Sequence, residues 1–242
     1  MAQIWQFLRK RRLIISLGFL VVVFLAFIVQ PFFAVRLVEM LFPRIVWSVE
    51  TQKPLFAITF DDGPDPIYTP QVLNLLARQD AHATFFLIGE RARRYPEIVA
   101  SIRAAGHEIG NHTDSHGATF ISSQSRFEAS LLRAEITLGL REKKLLRPGG
   151  GWIRPAQLDF AAQRGYTTVL GSAYAYDPYR PPTRYIAWVI SKNLRPGVIV
   201  ILHDSGGDRS NSIAALEPIL IAARQKGLRC VSVSELLDSS LH

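Results

Sequence analysis

The first fifty residues and the remainder of the chain follow different hydrophobic rhythms. Residues 13–35 carry no charge, and only Ser16, Gly18, Gln30 and Pro31 interrupt the apolar run. About 20 apolar residues cross the hydrocarbon core of a bilayer. The run exceeds the ~7–15 apolar residues of a cleavable signal, and no clear small-residue cleavage site follows it. Arg9, Lys10, Arg11 and Arg12 precede it, and positive flanks stay in the cytoplasm. The pattern predicts a basic cytoplasmic flank over 1–12, an uncleaved transmembrane signal anchor over 13–35 and a juxtamembrane linker over 36–52, with Trp47 as an interface anchor. The rest of the chain is expected on the extracytoplasmic side. A cleaved signal peptide is the competing reading.

Beyond the linker, short apolar runs alternate with stretches of helical periodicity. Strands are predicted over 55–60, 83–88, 107–110, 145–147, 167–170, 198–202 and 229–233. Helices are predicted over 70–78, 95–105, 125–143, 156–164, 184–193 and 212–226. The β-branched run at 198–202 reads as a strand buried on both faces. Repeated strand–helix units imply a parallel sheet. About seven of them without a dinucleotide fingerprint favour a distorted, TIM-like (β/α) barrel within one domain over 53–238, long enough for a single core.

Charge changes this picture little. The formal net charge is +8, and residues 1–50 contribute half of it, six Lys/Arg against Glu39 and Glu50. No cluster of basic residues interleaved with aromatics is present, so nucleic acid is not an expected partner. The single cysteine, Cys230, excludes an intrachain disulfide and a cysteine-based zinc site.

The candidate chemistry gathers just after the predicted strands, which in (β/α) barrels is the active-site face. Asp61 and Asp62 follow the first strand, His112 and His116 the third, and His203 the strand at 198–202, while Arg147 ends the fourth. Asp62, His112 and His116 make a set of two imidazoles and one carboxylate that suits zinc with a coordination position left open. The histidines, at i and i+4, are expected on one face of a helical turn. An exposed loop with two solvated histidines is the bland alternative. The remaining carboxylate can take a proton from a metal-activated water, provided a turn at Gly63-Pro64 brings both carboxylates to the cavity. Arg147 could hold that carboxylate through a bidentate pair. Gly149, Gly150 and Gly151 could let backbone N–H groups approach a substrate, as an oxyanion hole requires. His203 is placed as a general acid, and Asp177 could orient it. His82 and His107 read as structural.

Thr59-Phe60-Asp61-Asp62-Gly63, His112-Thr113-x-x-His116, Arg147-Pro148-x-Gly150 and Leu202-His203-Asp204 resemble, in order, the motifs of the polysaccharide deacetylase family (NodB-homology domain, carbohydrate esterase family 4). The resemblance implies metal-dependent removal of acetyl groups from N-acetylhexosamine units of a polysaccharide. Zn2+ is the expected ion, with Co2+ or Ni2+ as substitutes. Carried over by motif, Asp61 is the base, Asp62, His112 and His116 are metal ligands, Arg147 holds the base, His203 is the acid and Asp177 tunes it. Two positions depart from the family pattern. Gly149 and Gly150 replace the usual Pro and Tyr of the third motif, and Pro178-Tyr179-Arg180 stands where a Trp usually follows the acidic residue. Gly150, Trp152 and Tyr179 are therefore the expected substrate contacts.

Three other functions fit parts of the pattern. Two histidines and a carboxylate also form an iron oxygenase triad, though normally with a close His–carboxylate pair on a β-sandwich. A non-catalytic glycan-binding protein would have lost one of the site residues, and none is lost. An amidohydrolase of the same fold acting on a small non-sugar amide is separated only by a substrate screen.

Overall fold

A computed structural model describes residue 5 and residues 32–240. Most of the predicted anchor (13–31) and nearly all of the basic flank lie outside the described residues, as does His242. Among the described residues no helix is long and apolar enough to cross a membrane.

Eight parallel strands form one curled sheet: β1 (Leu55–Asp61), β2 (Thr84–Leu87), β3 (Glu108–Asn111), β4 (Lys144–Leu146), β5 (Tyr166–Thr168), β6 (Ala173–Tyr174), β7 (Ile199–His203) and β8 (Arg229–Val231). Seven run in the order β5-β4-β3-β2-β1-β7-β6, and β8 pairs with the first half of β1. Because β7 occupies one edge of β1 from Ala57 to Asp61, β8 and β2 share the other edge, one below the other. The sheet is a distorted (β/α) barrel left open between β5 and β6. Residues 46–49, read from sequence as linker, cross that seam: Val46 bridges to Val169 and Ser48 to Val198. Trp47 is half-buried there rather than free.

Strand side chains alternate between two cores, as the pleat requires. Phe56, Ile58 and Phe60 pack outward beneath the helices together with Phe85, Leu87, Val200 and Leu202. Leu55, Ala57, Phe86, Leu145, Val169, Ile199 and Val231 fill the interior with Val49. On β1 the interior column continues upward from Leu55 and Ala57 to Thr59 and Asp61, so the barrel axis changes from apolar to polar at its carboxyl end.

Helices bounded by local signals differ most from the sequence reading. The helix expected over 125–143 is Gln124–Leu138, because Gly139 adopts a left-handed conformation and caps it. A separate helix, Gly89–Arg94, precedes Pro96–Ala104. The last strand stops at Val231, where Ser232 caps a helix over Val233–Leu237 by accepting from the Glu235 amide.

Candidate active site

Strand register assembles the centre of the site. Asp61 lies level with Phe86 on β2 and with His203 on β7. The His112 amide donates to the Leu87 carbonyl, and the Arg147 amide donates to that of Asn111. Asp61, Asp62, His112, Arg147 and His203 are thus placed together at the carboxyl ends of four strands, β1, β3, β4 and β7.

Arg147 is 1% exposed. Nη1 donates to Asp61 Oδ1 at 2.7 Å and to Thr59 Oγ1; Nε and Nη2 donate to the carbonyls of Val169 (3.2 Å) and Leu170 (2.7 Å). Its guanidinium lies 4.1 Å from the Phe86 ring centre. The expected bidentate clamp on Asp61 is a single contact, because the other N–H groups satisfy carbonyls above β5. Burial lowers the Arg147 pKa, while Asp61 raises it.

Asp62 makes the turn itself, at φ 71°, a left-handed conformation that Asp tolerates better than most residues. This reverses the alternation of β1 and brings a second consecutive carboxylate inward; the turn had been expected at Gly63-Pro64. Asp62 Oδ1 lies 3.5 Å from His112 Nε2, and Oδ2 lies 3.7 Å from His116 Nε2. Burial would raise the Asp62 pKa, but the hydrogen bond from His112 and the charges of His112, His203 and His116 outweigh it and hold it at about 2.

The two histidines are not on a helical turn. Residues 112 and 113 are irregular and 114–117 form a bend, with Thr113 at φ 65°. Asn111 Oδ1 accepts the Thr113 amide at 2.7 Å and sets that bend. His112 is buried and His116 exposed.

Among the described residues no three His, Cys, Asp or Glu side chains close into a ready metal cluster. The donor set nevertheless fits a cation. His112 Nδ1 meets the Arg147 carbonyl at 2.8 Å and must donate to it, so Nε2 faces Asp62 and can hold either a proton or an ion there. Two acceptors aimed at one point require a cation or a proton between them. Ligands about 2.0–2.2 Å from a tetrahedral zinc ion sit roughly this far apart.

His203 faces this group from β7. Asp177 Oδ1 accepts from its Nδ1 at 3.0 Å, and Oδ2 accepts from its backbone amide at 2.8 Å and from Ser212 at 2.9 Å. Burial lowers the His203 pKa, but Asp177, with smaller contributions from Asp61 and Asp62, overrides it and raises it to about 9.

The predicted substrate contacts lie farther out. Gly150 adopts φ 72°. The amides of Gly149 and Gly151 are taken by Thr119 Oγ1 (2.9 Å) and the Pro148 carbonyl (3.1 Å), so those two do not serve an oxyanion hole. A Cβ on Gly149 would fall 2.1 Å from the Gly117 carbonyl oxygen; this close approach explains the glycine and brings the third motif against the histidine loop. Trp152 is 59% exposed and meets Phe42 edge-on at 6.2 Å. Tyr179 is exposed on the turn that begins at Asp177. His107 is buried beside the Ala83 amide, and burial lowers its pKa to about 4.

Sequence reasoning missed several residues that build the site. Asn111 joins the histidine bend to Tyr166 and the Leu131 carbonyl. Buried Asp114 holds that bend through Arg93 and Arg133. Tyr174, on the unpredicted strand β6, stands 6.2 Å from the His203 ring. Asn111 precedes the histidine motif and Asp114 lies within it, and that proximity is the only signal the sequence carries.

The polysaccharide deacetylase profile matches residues 48–169. A peptidoglycan-N-acetylglucosamine deacetylase of Bacillus cereus is 44% identical over 198 residues, covering 80% of this chain and 92% of its own length. The crystal structure of a peptidoglycan N-acetylglucosamine deacetylase, Bc1960, superposes with a TM-score of 0.78 at 32% identity, covering 81% of this chain and 94% of that one. A family 4 acetyl xylan esterase from Clostridium thermocellum, solved with a cobalt ion, gives a TM-score of 0.70 at 27% identity, covering 76% and 90%. Motifs in family order, a shared fold and this degree of identity lead to one conclusion: the chain belongs to the polysaccharide deacetylase family, carbohydrate esterase family 4.

Proposed function

We propose that this protein is a metal-dependent N-deacetylase of an N-acetylhexosamine-containing polysaccharide of the cell envelope, and that peptidoglycan is its first candidate substrate. The observation that carries this reading is the pairing of Asp61 with Arg147 beside Asp62, His112 and His116, with the His203–Asp177 pair across β1. The B. cereus relative supports the substrate, and the cobalt-bound esterase supports the ion.

Asp62, His112 and His116 would hold the cation. When bound, a divalent ion supplies polarisation of the acetyl carbonyl and acidification of water. Asp61, fixed by Arg147, accepts the proton of the attacking water. His203 donates a proton from Nε2 to the departing nitrogen, because Asp177 engages Nδ1 and keeps the ring charged at neutral pH. The C–N bond breaks, and acetate and a free amine leave. Zinc is the first choice for the N/O donor set, with cobalt or nickel able to replace it.

We also place the domain outside the cytoplasm, held by the apolar span 13–35. Acetate release from a panel of N-acetylated glycans, with and without chelator, tests the activity. Full turnover by metal-free protein, or release from small non-sugar amides alone, overturns it.

A further inference from the structure

Beside His116 lies a second groove of about 270 Å3, lined by Asp65, Glu90, Arg91, Arg94 and Tyr95. It is fixed to the metal-ligand loop. The amides of Gly89 and Glu90 donate to the carbonyls of Thr113 and Asp114 at 3.0 and 2.9 Å. A Cβ on Gly89 would fall 2.4 Å from Asp114 Oδ1, so the helix carrying Arg91 is seated directly on the bend between His112 and His116.

The groove holds two cations and two anions, but they are not equally committed. Asp65 accepts the amides of Ile67 and Tyr68 at 2.8 and 3.0 Å and the Ser205 hydroxyl at 3.4 Å. Glu90 pairs with Arg94 at 3.5 Å. Arg91 is half-buried and, among the described residues, makes no ion pair or side-chain hydrogen bond. A guanidinium offers a planar fork of donors that matches a carboxylate.

We propose that Arg91 binds a carboxylate carried by the glycan next to the reacting acetamido sugar, so that the enzyme prefers an anionic N-acetylated glycan to a neutral one. The inference rests on the deacetylase reading and narrows its substrate. Two sources present this group in peptidoglycan: the lactyl carboxylate of an alternate sugar that carries no stem, and the stem's own carboxylates where a peptide is joined to the lactyl group as an amide. A chitin-type oligomer presents neither.

The test compares zinc-loaded wild type, Arg91→Gln and Arg91→Lys on three oligomers of equal length: neutral, lactyl-bearing, and lactyl-bearing with a peptide stem. Arg91→Gln should lose about tenfold in kcat/KM, the factor of one interaction of about 1.4 kcal/mol, through KM. The loss should fall on carboxylate substrates only, with Arg91→Lys retaining part of the activity. Loss confined to the stem-free lactyl oligomer identifies the lactyl carboxylate as the source, loss confined to the stem-bearing oligomer identifies the stem, and loss on both shows that Arg91 takes whichever carboxylate is present. Equal loss on the neutral oligomer, or none on either anionic one, overturns the proposal. Calorimetric titration of the same oligomers into Asp61→Asn protein, with and without Arg91→Gln, reads binding without turnover. If wild type deacetylates nothing, the deacetylase reading fails, and this titration still decides the role of Arg91.

Discussion

Replacing Asp177 with Asn tests the acid assignment most directly. Asp177 serves three donors: the ring Nδ1 and backbone amide of His203, and Ser212. Asn has one acceptor oxygen. If that oxygen keeps the backbone amide and Ser212, its NH2 group faces Nδ1, which must then accept and leave the ring neutral. The His203 pKa, about 9 with Asp177 present, should fall to 6.5 or below, because burial is no longer offset. At pH 8 a group of pKa about 9 is ~90% protonated and one of pKa 6.5 is ~3% protonated, so acetate release should drop about 30-fold. The alkaline limb of the rate profile should move down by about 2.5 pH units. NMR titration of the His203 ring in metal-free protein should show the same shift. The folded pKa lies above the unfolded one, so this pair stabilises the fold fully below about pH 6.5 and loses its effect as pH rises through about 9. The slope of Tm against pH across that window should flatten in Asp177→Asn. An unmoved alkaline limb with an unchanged ring titration refutes the reasoning.

His112→Ala should lose bound zinc by elemental analysis, whereas Asp61→Asn should keep it and lose turnover by about 10²–10⁴-fold. Arg147→Met leaves Asp61 buried without its cation and should cost about 3–5 kcal/mol in urea unfolding; Arg147→Met/Asp61→Asn should recover part of that, and an additive double mutant would disprove the pairing. External protease applied to spheroplasts should digest the domain; protection there contradicts the extracytoplasmic placement.

The barrel and the placement of most candidate site residues could be read from the chain because they depend on short-range order. Alternating strands and helices specify the parallel sheet, and side chains placed immediately after strands must emerge at one face of it. The two-residue period along 55–61 even separates Phe56, Ile58 and Phe60 from the interior column that ends in Asp61. Two misread ends carried a local signal, Gly139 as a helix cap and Ser232 with Glu235 as a helix start, whereas the two-residue strand β6 exists through its pairing with β7.

What the sequence by itself determined was which groups reach the barrel mouth: Asp61, Asp62, His112, His116, Arg147 and His203. Tertiary structure decided how they face one another. Asp62 turns inward only because a left-handed residue ends β1 there, and the histidines meet it from a bend held by Asn111 and Asp114 rather than from a helix. Arg147 touches Asp61 once because the carbonyls of Val169 and Leu170, more than twenty residues away, claim its other donors. Residues 46–49 close a seam that only the curl of the sheet creates. Periodicity records the burial of each residue against its own element, whereas hydrogen-bond partners distant in sequence are chosen by register and closure, which no single segment encodes.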